Sequence, residues 1–420
     1  MFGVIIIKHI LCIDLKSFFA SCECIERGLD PFKVPLVVAN KNQGNGAITL
    51  AVTPYLKQQG VKGRTRLYEI PRSIKYTIVN PRMNLYLKKS TEVVSVFLDF
   101  IDKSDLHIYS IDECFLDVSD YLHLYNKTPF ELAEDILATV KKKTGLTATC
   151  GIGPNLLIAK VAMDIEAKHQ KNGITEWTYE EAKENFRKIT PLSKMWGIGS
   201  RMEARLNALG IYTIGELADY DKNKLKVKFG ILGLELWQHA NAIDNSEIKD
   251  FQNMKQEKSF SHSQVLFRDY DGNNVHIIIN EMISLLTARL RKSKTECCNV
   301  GIGISYSKTC GGSFYHTTKL DTATDKDAII YKYASLLFDQ YYEGLPIRKV
   351  TISLSKLSKK LGNQLTLFEN IETIKEEEHL KETIDDLKDK FGKNSILNAT
   401  SLLEDSTIKD RNKKIGGHHE

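Results

Sequence analysis

A mixed α+β fold is predicted for this chain of 420 residues on three observations. A nearly continuous β-branched run from Val4 to Ile13 reads as a strand buried on both faces. Strand-like and helix-like spacings then alternate without a regular period. A second pattern of strands and helices, from Ser259 to Lys356, begins after a polar, patternless stretch.

The first strand runs into Asp14-Leu15-Lys16-Ser17-Phe18-Phe19-Ala20, where the apolar spacing turns helical. Leu36 to Ala39 is the next strand candidate, and residues 41–46 form a polar, glycine-rich loop. Apolar positions recur at helical spacing from Asn84 to Phe100. Leu106 to Val118 reads as two short strands joined by an acidic tip. A helix over 128–143, a strand over Thr147–Ile152 and a helix entered at Pro154 follow, proline being suited to a first helical turn. Trp196-Gly197-Ile198-Gly199 lies between helical patterns, and residues 242–257 read as a linker. Beyond Leu357 the chain turns charged, with one amphipathic helix expected from Ile371 to Phe391 and stopped by Gly392. No internal repeat is visible.

The composition, 42% hydrophobic and 26% charged, is that of a soluble globular protein, and the net charge of +5 permits a nucleic-acid partner without arguing for one. The N-terminal apolar run, Gly3 to Ile7, falls far short of the roughly 20 residues a membrane span needs. No secretory signal is read, and no membrane association is expected. The eight cysteines form no CxxC pair, so reduced thiols in a cytoplasmic protein are expected and zinc is not.

Chemistry points to the acids. Asp14 ends a buried strand, where a lone carboxylate is costly unless paired or metal-bound. Asp112 and Glu113 are neighbours in an apolar frame, and both converge on one side only at a strand end or turn. Should that tip lie beside the end of the first strand, three carboxylates meet and repel one another unless divalent cations sit among them. Oxygen ligands of this kind suit Mg²⁺, and two such ions clamp the attacking and leaving oxygens of a phosphoryl transfer. The alternative is an acidic pair capping an exposed hairpin.

The segment Ile13 to Glu23 closely resembles the first catalytic motif of the Y-family (translesion) DNA polymerases. Tyr109 to Asp117 resembles the second and Gly151 to Lys160 the third, and the likeness runs from about residue 8 to residue 356, nearest the UmuC/UvrX-like branch. The resemblance implies a right-hand polymerase: a mixed-sheet palm (1–25 and 76–168), small fingers (26–75) and a helical thumb with a helix-hairpin-helix (169–241). A linker (242–257), an α/β little finger (258–356) and a C-terminal tail (357–420) complete it. It implies that Asp14, Asp112 and Glu113, with the Leu15 main-chain carbonyl, bind two Mg²⁺ ions. Phe19 matches the steric gate against ribose; Phe18, Lys57 and Lys160 match positions around the nucleotide triphosphate. The fingers depart from the family around Pro54, which leaves their register open.

Gly197, Gly199 and Arg201 are expected to hold DNA phosphate through the hairpin and the following helix N-terminus. Arg291 and Lys292 belong to a basic cluster in the little finger that is expected to lie along DNA. Gln364-Leu365-Thr366-Leu367-Phe368 resembles the short motif by which bacterial polymerases bind the beta sliding clamp. The implied activity is low-fidelity extension of a primer 3′-hydroxyl with dNTPs on a DNA template in translesion synthesis and SOS mutagenesis. The implied setting is the bacterial cytoplasm at the nucleoid, with a recombinase filament or accessory subunit as a further partner. The other readings are a nucleotide cyclase on a similar palm and a catalytically inactive DNA- or clamp-binding regulator of repair.

Overall fold

The computed structural model describes residues 8–252, 258–360, 371–415 and 418–419. Two compact units divide the chain near residue 254. In the first, β1 (Ile10–Leu15) leads into α1 (Phe18–Ile25). A turn with Ser17 at φ 49° joins them; this left-handed conformation is uncommon for a residue other than glycine. Next come β2 (Leu36–Val38), β3 (Ala51–Val52), α2 (Pro54–Gln58) and β4 (Thr77–Val79). They form a three-stranded sheet, β3-β2-β4, with its own small core of Val37, Val52, Leu56, Leu67 and Ile70. Because β4 belongs to this sheet, the finger-like unit runs a few residues past position 75.

The chain continues through α3 (Met83–Phe97), β5 (Leu106–Ile108), β6 (Glu113–Asp117), α4 (Leu122–Tyr125), α5 (Pro129–Thr144), β7 (Ala148–Gly153), α6 (Leu156–Ala162) and β8 (Ile174–Glu176). The central sheet has the order β5-β6-β1-β7-β8; β1 is antiparallel to both its neighbours, and β7 is parallel to β8. The strand expected from Val4 is seen over Ile10–Leu15, and residues 1–7 lie outside the described part. As expected, it is covered on both faces. Leu11, Ile13 and Leu15 enter the core shared with α3 and α5, while Ile10 and Cys12 meet Leu156, Ala159 and Met163.

The proximity of α6 depends on glycine. A Cβ on Gly151 would lie 2.1 Å from the Ala159 carbonyl oxygen, and one on Gly153 would lie 2.8 Å from the Ala159 nitrogen. Contrary to expectation, Pro154 does not open the helix. Asn155 caps it, accepting from the Ile158 N–H at 2.8 Å, and Leu156 is the first helical residue. The Asn155 amide also donates to the Ala242 carbonyl at 3.1 Å. This second bond ties the cap to the end of the helical subdomain and accounts for asparagine at this place.

That subdomain comprises α7 (Tyr179–Arg187), α8 (Ser200–Asn207), α9 (Ile214–Asp219), α10 (Lys222–Phe229) and α11 (Ile231–Ala240). Its core includes Leu157, Ile158 and Val161, so α6 serves the sheet with one face and the helices with another. A short helix, α12 (Ile248–Gln252), stands where the sequence reads as patternless linker. Ile248 and Phe251, three apart, pack on the sheet side, and the Phe251 ring stacks on His107 at 4.3 Å.

The second unit contains β9 (Ser259–Tyr270), α13 (Val275–Lys292), β10 (Thr295–Tyr306), β11 (Ser313–Thr324), α14 (Asp327–Tyr341) and β12 (Ile347–Lys359). Its antiparallel sheet has the order β11-β10-β12-β9, with α13 and α14 on one face. The charged C-terminal stretch is built onto this unit. It supplies α15 (Ile371–Phe391) and α16 (Ile408–Asn412). Ser406 donates to the buried Glu281 at 2.5 Å, and Lys360 bridges Asp325 and Glu378 at 3.1 and 2.6 Å. Among the described residues no helix is long and apolar enough to cross a membrane. Of the eight cysteines, six are buried free thiols; burial pushes Cys22 up to about 12 and Cys24 to about 11.

Glu23 joins α1 to α3. Its side chain has no exposed surface and meets Arg82 at 2.8 and 3.0 Å, the Tyr86 hydroxyl at 2.8 Å, and Arg27. Burial alone would raise its pKa, but the hydrogen bonds from Arg82, Tyr86 and Arg27 hold it below the ordinary value. Glu23→Ala leaves the buried Tyr86 hydroxyl without its acceptor and two partly exposed guanidinium groups without their partner, and is expected to cost about 2 kcal/mol. Urea denaturation, followed through the first unfolding transition, measures that loss.

Candidate active site

The register of β1 on β6 sets Asp14 directly opposite Glu113 and Cys12 opposite Phe115. Directly opposed residues of an antiparallel pair project from the same face, so both carboxylates rise on the side covered by α6. The tip between β5 and β6 is tight: the N–H groups of Tyr109 and Ser110 both donate to the Glu113 carbonyl at 3.0 Å. Asp112 accepts from the Ser110 hydroxyl at 2.7 Å, and its carbonyl takes the Leu15 N–H at 2.9 Å. The end of β1 and the acidic tip are therefore neighbours, as the sequence requires if the three acids are to share a site.

The charge between them comes from lysines. The Lys160 ammonium lies 2.8 and 2.9 Å from the two Glu113 oxygens, with both side chains 8% exposed. Its other partner is Asp164, one helical turn on, at 3.0 Å. Asp164 also holds Lys168 at 2.7 Å, and Lys168 stands 3.6 Å from Asp14. Burial alone would lower the Lys160 pKa; Cys12, Glu113 and Asp164 outweigh it and keep the group charged. Burial also raises the Asp14 carboxyl; Lys168 opposes this, Asp112 and Glu113 add to it, and the result is about 6.

Three carboxylates and a main-chain carbonyl, all oxygen, are the donor set of a hard divalent cation. A carboxyl held up to about 6 beside two other acids is short of positive charge, and the donors fit such an ion on that ground. As arranged, however, no three His, Cys, Asp or Glu side chains among the described residues stand close enough to hold one ion. Glu113 is turned onto Lys160 and accepts from the Cys12 thiol at 3.3 Å. The expected convergence on a cation is thus taken up here by ammonium groups.

Phe19, five residues beyond Asp14 on α1, is partly buried, its ring 4.7 Å from that of Tyr86. Tyr86 is fixed by Glu23, one turn beyond Phe19. Phe18 is 2% exposed and belongs to the core, so its ring is not open to a ligand. Lys57, exposed on α2, is within electrostatic reach of Asp14, Lys168 and Asp112. Pro54 is buried at the first position of α2, where its missing N–H costs nothing.

At the hairpin, Met195 and Ile198 are buried in the helical core while Gly197 and Gly199 face outward. Gly197 has φ 87°, a conformation glycine adopts without penalty, and a Cβ on either glycine would meet no atom within 4 Å. Arg201, in the first turn of α8, is exposed. The second unit differs from expectation. Arg291 is not spread along an open face but is enclosed between Asp327 at 3.1 Å and Asp385 at 2.7 Å, and Lys292 pairs with Asp389 at 2.8 Å. The acids of α15 meet this cluster because the tail folds back onto α13. Residues Gln364, Leu365, Leu367 and Phe368 lie outside the described residues.

Sequence reasoning missed Asp164, Lys168 and Glu23. The spacing of Lys160, Asp164 and Lys168, four and four, was the available signal for the first two.

The impB/mucB/samB family matches residues 13–164, its C-terminal domain matches 257–367, and the helix-hairpin-helix motif of the same family matches 179–211. The chain is 38% identical over 414 residues to the UV-damage repair protein named UvrX of Bacillus subtilis (strain 168), covering 98% of this chain and 97% of that one. It is 33% identical over 425 residues to DNA polymerase IV 2 of the same organism, covering 98% and 99%. A solved structure, the Y-family DNA polymerase chimera Dbh-Dpo4(243-245)-Dbh, aligns with a TM-score of 0.66 over 84% of this chain and 99% of that one, at 20% identity, and shares the fold. The chain belongs to the impB/mucB/samB family, the Y-family DNA polymerases.

The raised Asp14 pKa makes a prediction about stability. A folded-state value of about 6 against an unfolded value near 4 means that the ionised group opposes folding above pH 6, and that the penalty fades as the pH falls towards 4. Asp14→Asn is expected to gain on the order of 2 kcal/mol at pH 7 and almost nothing at pH 4. Denaturation curves of the two chains at both pH values read the difference.

Proposed function

We propose that this Y-family DNA polymerase carries out error-tolerant, template-directed extension of primer DNA past lesions, in the service of damage tolerance and induced mutagenesis. One observation carries the reading: Asp14 and Glu113 face each other across β1 and β6, with Asp112 at the adjoining tip and lysines at their border. Family membership over nearly the whole chain supports it.

In this reading Asp14, Asp112, Glu113 and the Leu15 carbonyl hold two Mg²⁺ ions. Bound there, the ions supply Lewis-acid activation of the primer 3′-hydroxyl and neutralise the triphosphate. The rest falls to the side chains. Lys160 and Lys57 offer fixed positive charge to the phosphates as negative charge develops on the leaving pyrophosphate. Phe19, braced from behind by Tyr86, lies against the sugar and leaves no room for a 2′-hydroxyl. Gly197 and Gly199, with the α8 N-terminus and Arg201, hold the DNA backbone without reading sequence. Arg291, enclosed between Asp327 and Asp385, takes no direct part, whereas Lys292 is exposed and its surface pair with Asp389 is weak enough to yield to a DNA phosphate.

Primer extension tests both site assignments at once. Asp112→Ala is expected to lower Mg²⁺-dependent dNTP incorporation by at least about a hundredfold, the scale for losing one electrostatic group of a reaction centre. Phe19→Ala is expected to keep dNTP incorporation and admit ribonucleotides. Equal extension by wild type and Asp112→Ala removes the acidic site from the mechanism, and unchanged sugar discrimination in Phe19→Ala removes the gate.

The segment Gln364 to Phe368 is proposed to bind the beta sliding clamp, since a second attachment raises the local concentration of an enzyme with sparse contacts. Replacing Leu367 and Phe368 by Ala is expected to weaken binding to the purified clamp at least about tenfold, the usual scale for losing two apolar anchors, with unassisted extension unchanged. Unaltered clamp affinity refutes it.

A further inference from the structure

Five charged side chains form an alternating row that joins two of the acids: Glu113, Lys160, Asp164, Lys168 and Asp14. The three central members lie at positions i, i+4 and i+8. In an α-helix of 3.6 residues per turn, the eighth residue overshoots two turns by about 80°. Here the helix widens just beyond α6: residues Met163–Ala167 form a π-turn, and the Lys168 N–H donates to the Met163 carbonyl five residues back at 3.2 Å. A wider turn takes up part of that overshoot and returns Lys168 to the line of Lys160 and Asp164. Single π-turns within helices frequently occur at functional sites.

The distances along the row are unequal in a telling way. Lys168 makes a hydrogen bond to Asp164 at 2.7 Å, whereas its 3.6 Å approach to Asp14 is ionic and beyond hydrogen-bond range. Its ammonium can therefore leave Asp14 and keep its partner. Asp14 is half-buried with Asp112 and Glu113 beside it, so a further cation is favoured there.

We propose that Lys168 is a resident counter-cation of Asp14, posted there by Asp164 and the π-turn, and that a divalent ion entering the site has to displace it. The inference rests on the reading of Asp14 as a metal ligand. Lys168 is a positioning residue in this account: it neutralises Asp14 until a stronger cation arrives, then withdraws onto Asp164. Its presence opposes metal loading by the Coulomb repulsion of one unit charge close to the ligand.

The test is direct Mn²⁺ binding to the full chain, without DNA or nucleotide, read from the electron paramagnetic resonance of the free ion. Lys168→Met is expected to bind Mn²⁺ at least about fivefold more tightly than wild type, fivefold being the effect of removing one unit charge about 4 Å from another in a water-like dielectric and the ion here being divalent. Lys168→Arg, which keeps the charge, is expected to bind as wild type does. Asp14→Asn is expected to abolish the affected site in either background. Lys168 is partly exposed, so both substitutions are compatible with the fold, and circular dichroism of each variant checks this. Equal or weaker Mn²⁺ binding by Lys168→Met overturns the inference. If neither wild type nor Lys168→Met shows Asp14-dependent Mn²⁺ binding, it is instead the reading of Asp14 as a ligand that fails.

Discussion

Carboxylates set at the end of a buried strand need positive charge, and much of the first unit is arranged to provide it. Asp14 and Glu113 face each other because β1 and β6 pair in antiparallel register, and Lys160 reaches Glu113 because α6 lies against the same face. The approach of α6 in turn requires Gly151 and Gly153, whose side the helix backbone nearly touches. Without those glycines the helix would stand farther from the sheet, and Glu113 would lose the ammonium that allows it to stay buried.

The same helix joins the sheet to the thumb-like helices. One of its faces enters the core with Ile10, Cys12 and Phe115, the other that of Phe186, Leu206 and Leu217. The cap made by Asn155 adds a polar tie to Ala242 at the end of those helices. A movement of α6 would therefore be felt in the charge row and in the helical core together. Such shared packing makes a site stiff, which suits a reaction that depends on fixed charges and dipoles.

The second unit resolves its charges internally. Buried Glu281 finds Ser406 and Thr407, Arg291 lies between Asp327 and Asp385, and Lys360 bridges Asp325 and Glu378. In each case a cation or acid that reads as solvated in the sequence has a partner far along the chain. The C-terminal segment is in this sense part of the module that precedes it, although its composition resembles a free tail.

The sequence by itself determined the local chemistry: the apolar frames around Asp14 and Asp112-Glu113, the helix ended by Gly392, the glycine hairpin between helical runs, and the family likeness those motifs carry. These are readable because strand burial, helix periodicity and turn conformation act over a few residues. Only the tertiary structure decided what meets across long separations. It turned Glu113 onto Lys160, brought Lys168 up to Asp14, gave Glu23 its distant Arg82 and Tyr86, and enclosed Arg291 between acids. A charged residue looks the same in sequence whether it faces water or a buried partner. The difference lies in packing and desolvation, which depend on which surfaces the whole chain brings together.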